Sequence, residues 1–316
     1  MTRYVLRRLL LSIVTLFLIV VIVFLIANVF PSDVGRRLAG PFAPQEQVDA
    51  VNEKLGTNDP LIEQFGRLVK GVVTFDYGDS YAQSRPVSEV IGDAFWRSMK
   101  LLAYALVLTI PLSIMAGIFA ARRRGKIADR SVVTLGLASS SIPDFVSSVI
   151  LQAVIGVKLG WFHVVANAPA GSSIMTQLSY LTLPALALVI VYFGYIARMT
   201  RAGVIGALDA DYTRTATMKG LSSTQVMRRH VLRNGLQATV SVVGVQVGYV
   251  MGSLVAIEKI FNYPGLGLTI FNAATKDPPV LVAGVLVVAI VYMLSTLAAD
   301  LVLAWMNPRT RLEVSR

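Results

Sequence analysis

Long runs of apolar residues alternate along this chain with short stretches crowded by arginine and lysine. The first run, Leu9 to Phe30, carries no charge and exceeds the roughly 20 residues a helix needs to cross a bilayer core. Further runs lie at about Leu101 to Ala121, Ser131 to Val157, Leu181 to Ala197, Leu236 to Ile257 and Val280 to Trp305. The pattern predicts an all-α, polytopic membrane protein with about six transmembrane helices. Arg3, Arg7 and Arg8 precede the first run as they would in a signal peptide. The run outlasts the roughly 7–15 apolar residues of such a signal, so it is expected to remain as an uncleaved anchor.

The polar segments fix an orientation. Arg122, Arg123, Arg124, Lys126 and Arg130 separate the second and third runs, and Arg201, Arg214, Lys219, Arg228, Arg229 and Arg233 separate the fourth and fifth. Arg309, Arg311 and Arg316 follow the last run. All fall on the side of the N-terminus, so both termini are expected in the cytoplasm. The segment after the first run mixes in Glu46, Asp49, Glu63, Asp76 and Asp79 and belongs outside.

That outer segment has its own periodicity. Pro44 at a helix start, Val48, Val51 and Leu55 on one face and Gly56 as a stop predict one short amphipathic helix. Asp59 as cap, Pro60 at the first position, Leu61, Phe65, Leu68 and Val69 at helical spacing and Gly71 as a stop predict another. The chain thus divides into an anchor over 1–30, a helical cap over 31–98 and a five-helix core over 99–316, with a cytoplasmic loop at about 201–235.

Composition excludes several classes. With 55% hydrophobic and 15% charged residues and a mean hydropathy of +0.65, the chain is too apolar for a soluble domain. The net charge of +11 is accounted for by topology, so no nucleic-acid partner is expected. Absent cysteine removes disulfides and thiolate chemistry, and no metal site is expected. His163 and His230, the two histidines, fall in loops, which leaves no buried site for an intramembrane protease and points away from an enzyme. No Gly-x-x-x-x-Gly-Lys-Ser/Thr loop is present, since Gly125-Lys126 is followed by Ile127. ATP and its Mg²⁺, if used, must sit on a separate chain.

Charges near the membrane midplane would suit an ion-coupled secondary transporter, the rival class. Asp144 and Asp300 are the candidates. Counted from Ser131, Asp144 lies about 13 residues, or roughly 20 Å, into its span, past the centre of a roughly 30 Å core. Beside the kink-forming Pro143, Asp144 and Phe145 are candidates for lining a substrate path, with a peptide's amino group as the ionic partner. Pairing of Asp144 with a neighbouring subunit or outer-leaflet water is the alternative. Glu258 and Lys259 fall near the outer end of the fifth span, and Glu258 and Phe261 are candidates for an outer gate. Gly244, Gly248, Gly252 and Ser253 permit close helix packing, either between two chains or within one.

The loop at 201–235 carries the strongest local signal. Asp209 to Gly220 predicts a short extramembrane helix with acids first and Lys219 last. Ser222 with Gln225 three positions on predicts a capping box opening a second helix. Ala216 and Gly220, four apart, would form a small-residue face for docking, unless these are merely solvated connectors.

Here the chain resembles the permease subunits of bacterial ABC importers. Arg214, Thr215 and Ala216 followed by Gly220 fit a relaxed form of their "EAA" signature. The string from Asp211-Tyr-Thr-Arg-Thr-Ala through Lys219-Gly-Leu-Ser222 to Arg229-His-Val-Leu-Arg-Asn234 is similar to the dipeptide and oligopeptide branch. So are Leu55-Gly-Thr-Asn-Asp-Pro-Leu61, Asp76-Tyr-Gly-Asp-Ser80, Ser141-Ile-Pro-Asp-Phe145, Glu258-Lys-Ile-Phe-Asn-Tyr-Pro-Gly-Leu-Gly267 and Asn307-Pro-Arg-Thr-Arg311. The sequence departs at Thr217-Met218, Pro278 and Asn307.

The resemblance implies a type I importer-like permease in the bacterial inner membrane. It makes half of a pathway with a second homologous permease and works with two ATP-binding subunits and an extracytoplasmic substrate-binding protein. In that family a coupling helix, here Asp211, Arg214, Thr215, Ala216, Lys219, Gly220, Leu221 and Ser222, sits in a groove of the ATPase. The branch handles dipeptides, oligopeptides, glutathione, nickel chelates or haem, with peptide the expected cargo.

Overall fold

In a bilayer every backbone N–H and C=O must be satisfied within the protein, so apolar runs of this length fold as helices. The structure, a computed structural model, describes residues 2–29, 34–40, 42–56, 58–74 and 76–306. In chain order the helices are α1 (Thr2–Val29), α2 (Val34–Ala39), α3 (Gln45–Leu55), α4 (Leu61–Thr74), α5 (Val87–Arg122), α6 (Ile127–Ser141) and α7 (Asp144–Leu151), the last continued by a π-helical stretch, Gln152–Lys158. After them come α8 (Ile174–Asp209), α9 (Asp211–Met218), α10 (Ser223–Val226), a π-helical turn (Met227–Val231), α11 (Leu232–Gly235), α12 (Gln237–Ile260), α13 (Leu266–Ala273) and α14 (Pro278–Met306). The β-pairing among the described residues is an isolated bridge between Asp79 and Pro86.

Among the described residues four helices, α5, α8, α12 and α14, are long and apolar enough to cross a membrane. The pair α6–α7, with its π-helical continuation, is bent by 99° at the break and makes a fifth only if counted as one broken span; the first expected span corresponds to α1, whose described apolar segment is Ile13–Leu25. The motif at Asn307 and the basic residues Arg309, Arg311 and Arg316 lie outside the described residues.

At the centre stands α8, which packs against α5, α6, α7, α11 and α12. Its 36 residues span about 54 Å, so it runs well beyond the expected Leu181 to Ala197 and protrudes from a roughly 30 Å core. Where α6 crosses it, Gly136 and Gly194 lie backbone to backbone: a Cβ on Gly194 would fall onto the Gly136 carbonyl. This close approach is what the two glycines permit. The main core is built from Leu101, Leu102 and Ala105 of α5, Leu183 and Leu188 of α8, and Val250, Met251, Leu254 and Ile257 of α12.

At one end of the bundle the termini of α5 and α8 meet, tied by Arg124 and Asp209 at 2.8 Å. Ala121, Val204, Ala207, Ala216, Val226 and Val231 form a second core there under α9–α11. The opposite end carries α2–α4. Val20 of α1 packs with Val282 and Leu286 of α14, flanked by Phe65 and Leu68 of α4.

Two expectations change. The third run is not one continuous helix: Pro143 lacks an N–H and forces Ile142 into extended backbone (φ −85°, ψ 123°), so the helix breaks and restarts. The second cap helix continues through Gly71 to Thr74. Gly71 instead lets the following chain fold back, since its Cβ would meet the Asp76 carbonyl at 2.6 Å. Asp59 pairs with Arg67 at 2.6 Å. The first cap helix ends as expected, on Gly56 at φ 63°.

Candidate functional site

The restart of the broken span places Asp144 in the first turn of α7, with its Oδ1 accepting the Phe145 N–H at 2.8 Å. Ser139 and Ser140 turn their hydroxyls back onto the Gly136 carbonyl, Ser141 onto Leu137, and Ser147 and Ser148 onto Asp144. Such back-bonding satisfies the serine hydroxyls within the helices that carry them. Asp144 and Phe145 face a cavity of about 620 Å³, shared with Tyr249, Gly252, Ser253, Val255, Ala256, Lys259 and Ile260 of α12 and Phe271 of α13. Its size falls in the roughly 300–1,000 Å³ range of small-molecule sites. The structure thus joins the two expected path residues and adds Lys259, Tyr249 and Phe271. The signal for α12 was its spacing: 249, 252, 253, 256 and 260 share one helical face.

The small-residue stripe of α12 divides between two tasks. Gly244 lies against Ala299 and the Ser295 carbonyl, and Gly248 against the Tyr292 ring, all on α14 of the same chain. Gly252 has open space beside it and lines the cavity. Ser253 shares a 2.7 Å hydrogen bond with the Tyr192 hydroxyl of α8.

Glu258 and Phe261 are both fully buried and do not line that cavity. The Glu258 carboxylate accepts from the Ser98 hydroxyl of α5 and, at 2.9 Å, from the Leu268 N–H in the first turn of α13. Ser98 in turn accepts the Leu266 N–H at 2.7 Å. A carboxylate here complements the positive end of α13. Gly265 has no room for a Cβ, which would meet Glu258 and Ser98. The Phe261 carbonyl accepts the Ala166 N–H at 2.8 Å, and the Tyr263 hydroxyl, pushed above its ordinary pKa by burial, donates to the Arg97 carbonyl at 2.8 Å. The string from Glu258 to Gly267 therefore clamps α5, α12 and α13 at the cap end. Beside it, Asp277 receives the Ser80 hydroxyl and the Tyr81 and Ala82 N–H groups, fixing the loop that leads into α5.

At the other end, α9 seats itself on α8. Thr213 and Ala216 are buried, with the Thr213 hydroxyl donating to the Ala207 carbonyl at 2.6 Å. Ala216 therefore faces inward, and Gly220 lies past the helix end at φ 80°, where the chain reverses toward α10. The two small residues do not make one outward face. What faces outward is Tyr212, Arg214, Thr215, Met218, Lys219 and Gly220, with Asp211 in an exposed loose pair to Arg214 at 3.8 Å. Met218 is 80% exposed. Leu221 is half-buried against the second core, and Ser222 forms the expected capping box with Gln225.

One pair escaped the sequence reading. Asp129, buried near the start of α6, accepts from Nε of Arg201 on α8, from its Nη2 at 2.7 Å and from the Gly125 N–H at 2.8 Å. Its signal was an acid inside the basic stretch 122–130. His163 stacks on Tyr180 at 3.6 Å, and no metal-binding group of three or more His, Cys, Asp or Glu occurs among the described residues.

Two family models together cover residues 1–312. Residues 113–312 match the binding-protein-dependent transport system inner membrane component, and residues 1–114 match the N-terminal part of such components. The glutathione transport system permease protein GsiC of Escherichia coli K12 is 35% identical over 312 residues, covering 98% of this chain and 99% of its own. GsiC of Shigella boydii serotype 4 is 36% identical with the same coverage. Among solved structures, the crystal structure of an amino acid ABC transporter with histidines aligns with a TM-score of 0.47 and 16% identity, over 70% of this chain and 94% of that one.

Proposed function

Because the chain belongs to the family of binding-protein-dependent transport system inner membrane components, in its dipeptide/oligopeptide-type group, we propose that it forms half of a peptide pathway driven by separate ATPases. It is a multi-pass permease of an ABC importer in the bacterial inner membrane, and not an enzyme. Such a permease works with ATPase and substrate-binding partners. The proposed complement is a second homologous permease, two ATP-binding subunits holding ATP and Mg²⁺, and one extracytoplasmic binding protein. This chain binds no cofactor. Both termini and α9–α11 lie in the cytoplasm, and α2–α4 outside.

The observation that carries the coupling assignment is the exposed outer face of α9, held rigidly on the protruding end of α8 by buried Thr213 and Ala216. A rigid knob at the end of the central helix transmits the closing of two ATPases to the bundle. From α8 the motion passes through Arg201 and Asp129 to α6, and across the break to Asp144 and Phe145 in the cavity. Glu258 and Phe261 brace the outer end. The cargo is a small peptide, in keeping with the glutathione for which the relatives are named.

Replacing Met218 with Asp puts a charge on the knob without touching the core. The variant should insert normally yet fail to copurify with subunits bearing nucleotide-binding motifs, and ATP-dependent uptake should be lost. Normal copurification and uptake would remove α9 from the coupling role. Transport by the purified chain alone, with an ion gradient and no ATP, would replace the reading with an ion-coupled secondary transporter.

A further inference from the structure

Two opposite charges share one cavity without pairing. Asp144 and Lys259 both line the space between α7, α12 and α13, yet no salt bridge joins them to each other or to any other residue among the described ones. Asp144 uses Oδ1 on the Phe145 N–H, and no hydrogen bond is made to its Oδ2 within the described chain. The Lys259 ammonium sits 4.9 Å from the centre of the Phe271 ring, a contact that orients the cation and leaves its three N–H donors available. Glu258, next in sequence, turns away into the clamp on α13, so it does not neutralise Lys259. Ionisable side chains on membrane-spanning helices face protein or a water-filled cavity and mark paths for substrates or ions.

Three half-exposed or exposed aromatic rings, Phe145, Tyr249 and Phe271, make up much of the remaining wall. A ligand fitting this wall carries a cationic end for Asp144, an anionic end for Lys259 and apolar or neutral matter between. Resting on the peptide-importer reading above, we infer that this cavity recognises the two free ends of a zwitterionic peptide: Asp144 holds its ammonium and Lys259 its carboxylate. Lys259 is then a specificity-determining residue, and blocking either end of the peptide removes one of two charge-assisted contacts.

The test uses the full transporter, with its binding protein, in liposomes, and three probes: trialanine, trialanine C-terminal amide and N-acetyl-trialanine. The binding protein's own preference divides out, because the same protein serves every permease variant. Lys259→Met should lower the preference for trialanine over its amide at least about tenfold, as loss of one charged contact implies. Lys259→Arg should keep it, and the preference over N-acetyl-trialanine should be unchanged in both. Asp144→Asn should give the mirror result, losing discrimination against the acetylated probe alone. Uptake ratios unchanged in Lys259→Met, or all three probes slowed equally, would overturn the inference and assign the two charges to packing or to contact with the second permease. Failure of the unaltered transporter to take up trialanine with ATP would instead refute the peptide reading on which the inference rests.

Discussion

Removing Asp129 should cost more than a surface salt bridge would, and the amount follows from its surroundings. The carboxylate accepts three N–H groups, two from Arg201 and one from Gly125, and its side chain is 4% exposed while that of Arg201 is 27% exposed. Breaking a buried ion pair from one side costs about 3–5 kcal/mol, most of it the penalty of the charge left behind. Asp129→Ala leaves a guanidinium that water partly reaches near the end of the bundle, so about 2–3 kcal/mol is expected. Arg201→Met leaves the more enclosed carboxylate with one hydrogen bond, from the Gly125 N–H, and the more distant charge of Arg124, and should cost about 3–4 kcal/mol. The double variant has no stranded charge and should be more stable than Arg201→Met, giving a coupling of at least about 2 kcal/mol. Reversible unfolding in mixed detergent micelles, followed by tryptophan fluorescence, measures all four corners of the cycle. Additivity within about 0.5 kcal/mol would refute the reasoning, because it would mean that neither partner suffers from losing the other.

Other perturbations test the remaining joints. Gly194→Ala should force α6 and α8 apart at their backbone contact and lower the stability of the solubilised protein by about 2–4 kcal/mol, read in the same unfolding assay. Asp277→Ala should release the Ser80 hydroxyl and two loop N–H groups together, so protease cleavage between residues 76 and 86 should rise while the membrane-spanning fragments stay intact. Ser222→Ala removes the capping box and should weaken the start of α10 by about 1 kcal/mol, seen as faster amide exchange at Gln225 with little change elsewhere.

Much of this architecture is written locally. The apolar runs specified α5, α12 and α14 because a bilayer leaves no alternative to helix, and the Ser222–Gln225 box and the Gly56 stop are contacts between residues close in sequence. Asp144 and Phe145 stood out because a charge beside a proline in an apolar run is unusual. Long-range features were harder to read. Ala216 looks available for docking until the fold brings Val204 and Val231 beneath it. Gly244 and Gly248 cannot reveal from spacing alone that Ala299 and Tyr292 will occupy their groove. Lys259 resembles an ordinary boundary lysine until the fold sets Asp144 of α7 and Phe271 of α13 around the same cavity, and Glu258 and Ser98, 160 positions apart, meet only through the tertiary fold.

The break at Ile142 and Pro143 also bears on how the chain is made. With 15 residues, α6 is about 22 Å long, shorter than the roughly 30 Å it would have to bridge, and it carries Asp129, Arg130 and four serines. Such a segment has little reason to leave the insertion machinery for lipid by itself. Its partner surface, Gly194 and Arg201 on α8, emerges from the ribosome more than 50 residues after α6 is complete. Integration of the third apolar run therefore has to wait for α8, and ribosomes stalled before residue 194 should leave α6 accessible to water-soluble thiol reagents through cysteines placed along it.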